Sequence, residues 1–279
     1  MKSLRTDIQA LRGLAVLLVL LFHARFSFLP AGYLGVDVFF VISGFLVTGL
    51  IVKAVDRGRF RFADFYWRRA KRLLPAAYVT FFLTALLAPL FLGQAELRDF
   101  GKQLLGALTF TGNIALWQQT GYFEGAGEQK PLLHVWSLAL EEQYYFLLPA
   151  MLVWLPVRHR LKLAVLACLA SLGLCLIGNL YKPVATFYLL PTRWWELGIG
   201  SIGALAYGQS RPYLLARWLF WPSLLVLILV PAFPLGRSHP GLDAVLVCIA
   251  TLMLILRNHP GLNASLPTRA LAWVGNFSY

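Results

Sequence analysis

Histidine 23 lies inside a stretch that is apolar enough to enter a bilayer, "ALRGLAVLLVLLFHARFSFLP" at residues 10–30. An ionisable side chain at membrane depth costs at least a few kcal/mol, so it usually serves a transport pathway, an ion pair or a reaction. Eleven residues return a helix to within about 20° of its starting direction, which predicts Arg12 and His23 on one stripe, roughly 16 Å apart. We therefore take His23 as a candidate site residue.

A second apolar stretch, "PLLHVWSLALEEQYYFLLP" at residues 131–149, carries a dense group of polar side chains. Their spacing of three, four and seven residues predicts one polar helix face. The members are His134, Ser137, Glu141 and either Tyr144 or Tyr145.

His23 and Glu141 are predicted at similar depths, about 18 Å from the cytoplasmic face and about 13 to 14 Å from the outer face. A histidine beside a carboxylate could accept and return a proton, as general-base catalysis at a hydroxyl requires. A buried polar pair that only holds two helices together is the alternative. Glu142 is an equal candidate for the acid, because spacing does not choose between neighbouring residues.

The stretch "PTRWWELGIGSIGALAYG" contains Arg193 and Glu196 at i, i+3, which favours a structural ion pair. It also contains a G-x-G-x-x-G match at Gly198, Gly200 and Gly203. No strand precedes this match and no acidic ribose partner follows it, so a helix face packed closely against a neighbour explains it better than a dinucleotide site.

Two further stretches carry charges next to apolar runs. "GYLGVDVFFVISGFLVTG" places Asp37 near the start of a predicted span, and "RFRFADFYWRRAKRLLP" places Arg68, Arg69 and Arg72 beside aromatic residues. Such cations commonly anchor a span at the cytoplasmic surface. Arginines can also bind phosphate groups in pairs of hydrogen bonds, so a phosphorylated cofactor entering from the cytoplasm is the second interpretation.

The elements that position these residues are predicted to be membrane-spanning helices. Of the 279 residues, 59% are hydrophobic and only 13% are charged, whereas soluble domains carry about a quarter charged residues. The fold class is therefore an all-α, polytopic transmembrane bundle with about 8 to 9 visible spans. The stretch 103–117 is predicted to be interfacial or re-entrant. The predicted spans are 11–29, 33–52, 73–92, 132–155, 163–178, 184–207, 218–234, 242–256 and one that begins near 271.

Most of the 25 Lys and Arg residues fall in segments that share one side if the N-terminus is cytoplasmic. This bias explains the net charge of +13 without nucleic-acid binding. We interpret the first 30 residues as a transmembrane helix and not a cleaved signal, because no small-residue cleavage site follows. Cys168, Cys175 and Cys248 lack metal-type spacing and are predicted to be buried small hydrophobes, so no metal site is expected.

Five pieces of the sequence together resemble the acyltransferase-3 family of integral-membrane acyltransferases, which includes bacterial O-acetylases of lipopolysaccharide and peptidoglycan. They are "DIQALRGLAVLLVLLFHA", "GYLGVDVFFVISGFLVT", "FYWRRAKRLLP", "LLHVWSLALEEQYYFLLP" and "PTRWWELGIG". The resemblance implies transfer of an acyl group, most often acetyl from cytoplasmic acetyl-CoA, to a hydroxyl of an envelope glycan. It implies a multi-pass protein of the inner membrane, with no permanently bound cofactor.

The resemblance also implies roles for individual residues. His23 resembles the family's essential histidine and Arg12 its partner, while Asp37 matches an acidic position of open role. Arg68, Arg69 and Arg72 resemble an arginine motif associated with the donor's phosphates, and Glu141 or Glu142 resembles the acid of the "WSLALEEQ" segment.

Residues 1–279 form a single transmembrane domain in this interpretation. Family members usually continue with "Y-L-W-H" and a tenth span after a segment like "VGNFSY", so the chain is expected to be truncated. A transporter of a lipid-linked saccharide or acyl donor is the alternative function, since polar stripes could also form a path. A non-catalytic subunit is a third.

Overall fold

The computed structural model describes residues 5–119, 130–236 and 238–278, and all regular secondary structure in these ranges is helical. A 3-10 turn at Gly32–Leu34 joins the first two α-helices. The helices are α1 Thr6–His23, α2 Gly35–Asp56, α3 Phe62–Phe91, α4 Gln94–Leu108, α5 Gly112–Gln118, α6 Val135–Trp154, α7 Val157–Tyr181, α8 Pro183–Tyr188, α9 Leu190–Leu205, α10 Ser210–Ala232, α11 Leu242–Arg257, α12 Pro260–Asn263 and α13 Leu266–Asn276.

Within the described ranges, five helices are long and apolar enough to cross a membrane: α1, α2 with its preceding turn, α3, α7 and α10. The all-helical fold class is therefore confirmed, while the count of 8 to 9 spans and the orientation remain predictions. Helices α9 and α11 have only 16 residues each. Helix α6 has 20 residues but carries Glu141, Glu142 and Gln143 in sequence, which lowers its mean hydropathy.

Two predicted spans differ from the helices that form, and the predicted interfacial stretch is largely helical. Helix α1 begins at Thr6 and ends at His23, whereas the predicted span was 11–29. The predicted span 184–207 is divided into α8 and α9 at Leu189, where the backbone is extended. Pro191 lies in the first turn of α9, and proline favours that position because it lacks an N–H group. The stretch 103–117 forms the end of α4 and all of α5.

Helices α2 and α9 pack against each other at the centre of the molecule. A side chain at Gly44 would overlap the backbone of Leu197, and one at Gly200 would overlap the backbone of Val41. Glycine at these two positions lets the helix backbones approach closely. The predicted close-packed face in the G-x-G-x-x-G stretch is therefore confirmed.

The three cysteines, Cys168, Cys175 and Cys248, are free thiols buried in the same apolar core. This confirms the prediction that they pack as small hydrophobes. Helix α3 is different, because only 11% of its most apolar window is buried in the molecule. Near its start Phe65 is buried and the Tyr66 hydroxyl donates to the Phe146 carbonyl over 2.9 Å, and further along Phe81 and Ala88 pack in a small apolar cluster with α4.

Candidate functional site

Helices α2, α3 and α6 bring together a polar group that we name the carboxylate site: Ser43, Arg69, Glu141, Glu142 and Tyr145. Arg69 and Glu142 form an ion pair, with 2.5 Å between Nη2 and Oε1 and 3.4 Å between Nε and Oε2. The Arg69 guanidinium also lies 3.7 Å from the centre of the Tyr145 ring, within the range of a cation–π contact. Arg69 therefore binds α3 to α6 through two residues.

The two neighbouring glutamates have different surroundings. Ser43 of α2 donates a hydrogen bond to Oε1 of Glu141 over 3.0 Å, and the Tyr145 hydroxyl donates to Oε2 over 3.4 Å. Tyr145 is one helical turn after Glu141, so this second contact follows from α-helical spacing. Glu142 is neutralised by a guanidinium, whereas Glu141 is held mainly by hydroxyl groups. The sequence left open whether Glu141 or Glu142 is the acid that matters, and the structure shows that the two carboxyl groups have different partners.

The arginine segment lies inside α3, which begins at Phe62. Arg69 turns toward α6 and is 26% exposed, while Arg68 and Arg72 are exposed. The three arginines of the predicted donor site thus belong to one helical stretch but do not share one environment. A ligand phosphate that binds Arg69 would have to compete with Glu142 for the same guanidinium.

His23 is the last residue of α1 and its side chain is exposed. Its Nδ1 lies 2.8 Å from the Val19 carbonyl oxygen. A carbonyl oxygen only accepts, so Nδ1 carries a proton, and in the neutral ring the lone pair is then on Nε2. A neutral imidazole held in this tautomer can accept a proton at Nε2.

In the described residues, the side-chain hydrogen bonds of Glu141 join it to Ser43 and Tyr145, and that of His23 joins it to the Val19 carbonyl. Helix α1 begins at Thr6, so His23 lies about 26 Å along it and is its last residue. Glu141 lies about 9 Å after the start of α6 at Val135. The similar depths of His23 and Glu141 in the bilayer stay a prediction, because they depend on where each helix enters the membrane.

Arg12 and His23 lie on one continuous helix, so they share the predicted stripe, but their surroundings differ. Arg12 is 8% exposed, its Nε donates to the Ser278 hydroxyl over 3.1 Å, and its Nη2 donates to the Ser278 carbonyl over 3.1 Å. His23 lies at the exposed end of the same helix.

The predicted polar stripe of α6 is divided in the structure. His134 precedes the helix, is exposed, and lies within electrostatic range of His23. Ser137 donates to the His134 carbonyl over 3.3 Å. Tyr144 is buried elsewhere, with its hydroxyl 2.6 Å from that of Ser201 on α9. Of the predicted stripe, only Glu141 and Tyr145 share a site.

A second polar group, which we name the arginine hub, consists of Asp37, Arg193, Glu196 and His239. Arg193 Nη2 donates to Asp37 Oδ1 over 3.3 Å, and Nη1 lies 3.1 Å from His239 Nε2. The predicted ion pair with Glu196 is confirmed, with 3.1 Å between Arg193 Nε and Oε2. The side chains of Asp37, Arg193 and Glu196 are 0% exposed.

Aromatic rings complete the enclosure of the arginine hub. The Arg193 guanidinium lies 5.3 to 5.6 Å from ring centres on α2, α6 and α8. These rings belong to Phe40, Trp136 and Phe187. The hub therefore connects four helices and the segment that contains His239.

Sequence reasoning missed two residues that the structure places in these groups. Ser43 is a single hydroxyl in an apolar helix, a pattern too common to indicate a site. His239 lies in "GRSHPG", between α10 and α11, where a polar residue is ordinary. Burial beside the Arg193 guanidinium lowers the pKa of His239 well below its usual value, with loss of hydration as the larger cause.

Comparison with known proteins gives one family. A family model described as an acyltransferase domain matches residues 5–279. The chain is 31% identical to an uncharacterized protein of Haemophilus influenzae over 78% of this chain and 96% of that protein. It is 28% identical to the peptidoglycan O-acetyltransferase OatA of Listeria monocytogenes over 98% of this chain and 47% of OatA. No solved structure gave a significant match.

YrhL of Bacillus subtilis, provisionally named a peptidoglycan O-acetyltransferase, is 35% identical over 73% of this chain. The chain spans only 33% of YrhL and about half of OatA. The family model nevertheless covers all described residues, and the Haemophilus protein aligns along nearly its whole length. The chain therefore belongs to the acyltransferase-3 family.

Proposed function

We propose that this chain is a membrane O-acyltransferase that transfers an acyl group, preferentially acetyl, from cytoplasmic acyl-CoA to a hydroxyl of an envelope glycan. The acceptor classes are lipopolysaccharide, O-antigen, peptidoglycan and exopolysaccharide. The observation that carries the proposal is His23, whose Nδ1 is bound to the Val19 carbonyl and whose exposed Nε2 can take a proton. Family membership and the names of the relatives support the reaction class.

The chemistry assigned to His23 is general-base catalysis. As the acceptor oxygen forms its bond to the acyl carbon, Nε2 takes the hydroxyl proton. The bond between the acyl carbon and its carrier then breaks, and the proton passes from His23 to the leaving group or to solvent. The Val19 carbonyl stabilises the imidazolium that forms, because its hydrogen bond to Nδ1–H strengthens when the ring is charged.

We assign donor recognition to Arg68, Arg69 and Arg72, which would bind the phosphates of acyl-CoA. Arginine suits this role because its planar donors match phosphate oxygens. In the proposed orientation the N-terminus is cytoplasmic, the protein crosses the inner membrane 8 to 9 times, and the start of α3 faces the cytoplasm. His23 then lies at the opposite surface, with the carboxylate site between donor and acceptor.

The test compares His23→Ala and His23→Gln with the unchanged chain in cells that lack the native gene. Mass spectrometry of the envelope glycans reports the acceptor, the acyl group and its amount together. We expect loss of acylation in both variants, because neither side chain can act as a base at neutral pH. The matched control is His159→Ala, which removes an exposed histidine at the start of α7.

Immunoblots of membrane fractions confirm equal amounts of each variant. Normal glycan acylation in a well-inserted His23→Ala variant would reject the role of His23. Donor recognition is measured separately, as binding of acetyl-CoA to the solubilised protein. Loss of binding in Arg69→Ala and Arg72→Ala is expected, and unchanged binding would reject the donor site.

A further inference from the structure

The arginine hub contains more negative than positive charge. Arg193 is the single permanent cation of the group, and it faces both Asp37 and Glu196. All three side chains are fully enclosed, so water does not screen their charges. A buried charge without a counter-charge is costly by several kcal/mol. The hub is therefore one positive charge short if both carboxyl groups are ionised.

His239 does not supply that charge. Arg193 has only donor groups, so the 3.1 Å contact between its Nη1 and His239 Nε2 requires a lone pair on Nε2. The ring is consequently neutral. The other titratable groups that act on the hub are the Tyr33 hydroxyl and the thiols of Cys175 and Cys248, which carry no positive charge in any state.

The hydrogen bonds show which carboxyl group lacks a partner. Asp37 Oδ1 accepts from Arg193. Both oxygens of Glu196 and the Oδ2 of Asp37 accept no hydrogen bond from the part of the chain that the structure describes. Asp37 Oδ1 lies 3.3 Å from Arg193 Nη2 and Glu196 Oε2 lies 3.1 Å from Arg193 Nε, so the two carboxyl groups face adjacent nitrogens of one guanidinium. A single proton shared by the two carboxyl groups would form a hydrogen bond between them.

We propose that Glu196 is a buried, neutral carboxylic acid that donates its proton to Asp37, which makes the arginine hub an enclosed proton-binding site. The proton balances the charge, since Asp37 then carries the single negative charge opposite Arg193. It also forms a hydrogen bond between carboxyl oxygens that otherwise accept none. This inference does not depend on the proposed transferase activity, because it rests only on contacts within the hub.

The direct test is infrared spectroscopy of the purified protein at neutral pH, since a protonated carboxylic acid has a carbonyl band separate from the carboxylate bands. The difference spectrum between the unchanged protein and Glu196→Gln isolates this residue from other acids. We expect the variant to lose one carboxylic-acid band. The matched control, Glu96→Gln, removes a glutamate that caps α4 and should lose only carboxylate intensity.

Loss of carboxylate intensity in Glu196→Gln would overturn the proposal. So would a carboxylate band that changes with sodium or potassium concentration, because a bound cation would then supply the missing charge. Thermal unfolding gives a second measurement. Glutamine can donate to Asp37 as the protonated acid does, so Glu196→Gln should unfold near the temperature of the unchanged protein. Asp37→Asn and Glu196→Met should unfold at clearly lower temperatures, and the reverse ranking would also overturn the proposal.

Discussion

The carboxylate site and the arginine hub are built from the same kinds of side chain, yet they differ in how far water can reach them. Each contains one arginine and two carboxyl groups and places aromatic rings beside the guanidinium. Arg69 and Glu142 are 26% and 17% exposed, whereas Arg193 and Glu196 are 0% exposed. An arginine that water can reach can exchange its partner for a ligand, and an enclosed one cannot.

This difference assigns separate roles to two groups that look alike in the sequence. The arginine hub joins α2, α6, α8 and α9 around one guanidinium, so its first role is structural. The carboxylate site lies where α3 meets α6, and most of the apolar window of α3 is not buried in the molecule. Substitutions that remove one arginine from each site therefore test the comparison directly.

The largest effect is expected for Arg193→Met. Removing one partner of a buried ion pair leaves an uncompensated charge, which typically costs about 3 to 5 kcal/mol of folding stability. Thermal unfolding in detergent measures the loss, with Arg68→Met as the control because Arg68 is exposed on α3. An Arg193→Met variant as stable as the control would show that the hub does not stabilise the fold.

A smaller loss is expected for Arg69→Met. Its ion pair is partly exposed, and a hydrogen bond to a charged group contributes about 1.5 to 3 kcal/mol, so we expect about 1 to 2 kcal/mol after screening by water. The same unfolding assay applies. A loss equal to that of Arg193→Met would erase the distinction between the two sites.

Glu142→Gln should strengthen donor binding, because Arg69 is then free to bind a phosphate. We expect acetyl-CoA affinity to rise by up to about tenfold, equivalent to about 1.4 kcal/mol. Equilibrium binding to the solubilised protein measures it, with Glu96→Gln as the matched control on α4. Unchanged or weaker binding would show that Arg69 serves Glu142 and not the donor.

The smallest effect is expected for Ser43→Ala, which removes the hydroxyl that donates to Glu141 over 3.0 Å. A single hydrogen bond contributes about 0.5 to 1.5 kcal/mol. The free energy of unfolding should fall by that amount, and Ser137→Ala provides a control because its hydroxyl donates to the nearby His134 carbonyl within its own helical turn. A loss as large as that of Arg69→Met would mean that Glu141 is the main structural acid of the site.

Features that depend on residues close together in the sequence could be predicted. Apolar runs predicted most of the helices, and the i, i+3 spacing predicted the pair between Arg193 and Glu196. Small residues in the G-x-G-x-x-G stretch, among them Gly200, indicated close helix packing. Each of these features follows from the geometry of a single helix and requires no knowledge of how that helix packs against other helices.

Features that depend on distant residues could not be predicted. Asp37 contacts Arg193 across 156 positions, and Ser43 contacts Glu141 across 98. Hydropathy also extended the first span too far, because Phe26 and Phe28 are apolar but exposed after α1 has ended. The backbone turns at Arg25, whose φ of 59° lies in the left-handed region, and no residue type there predicts it.

The segment between α10 and α11 affects where reporter groups can be attached. It supplies His239 to the arginine hub, and Asp243 accepts hydrogen bonds from the backbone N–H groups of Leu235 and Gly236. A peptide tag inserted there would disturb the buried centre of the molecule. The turn at Gly58, which has open space around it, suits an accessibility label that would establish on which side of the membrane α2 ends.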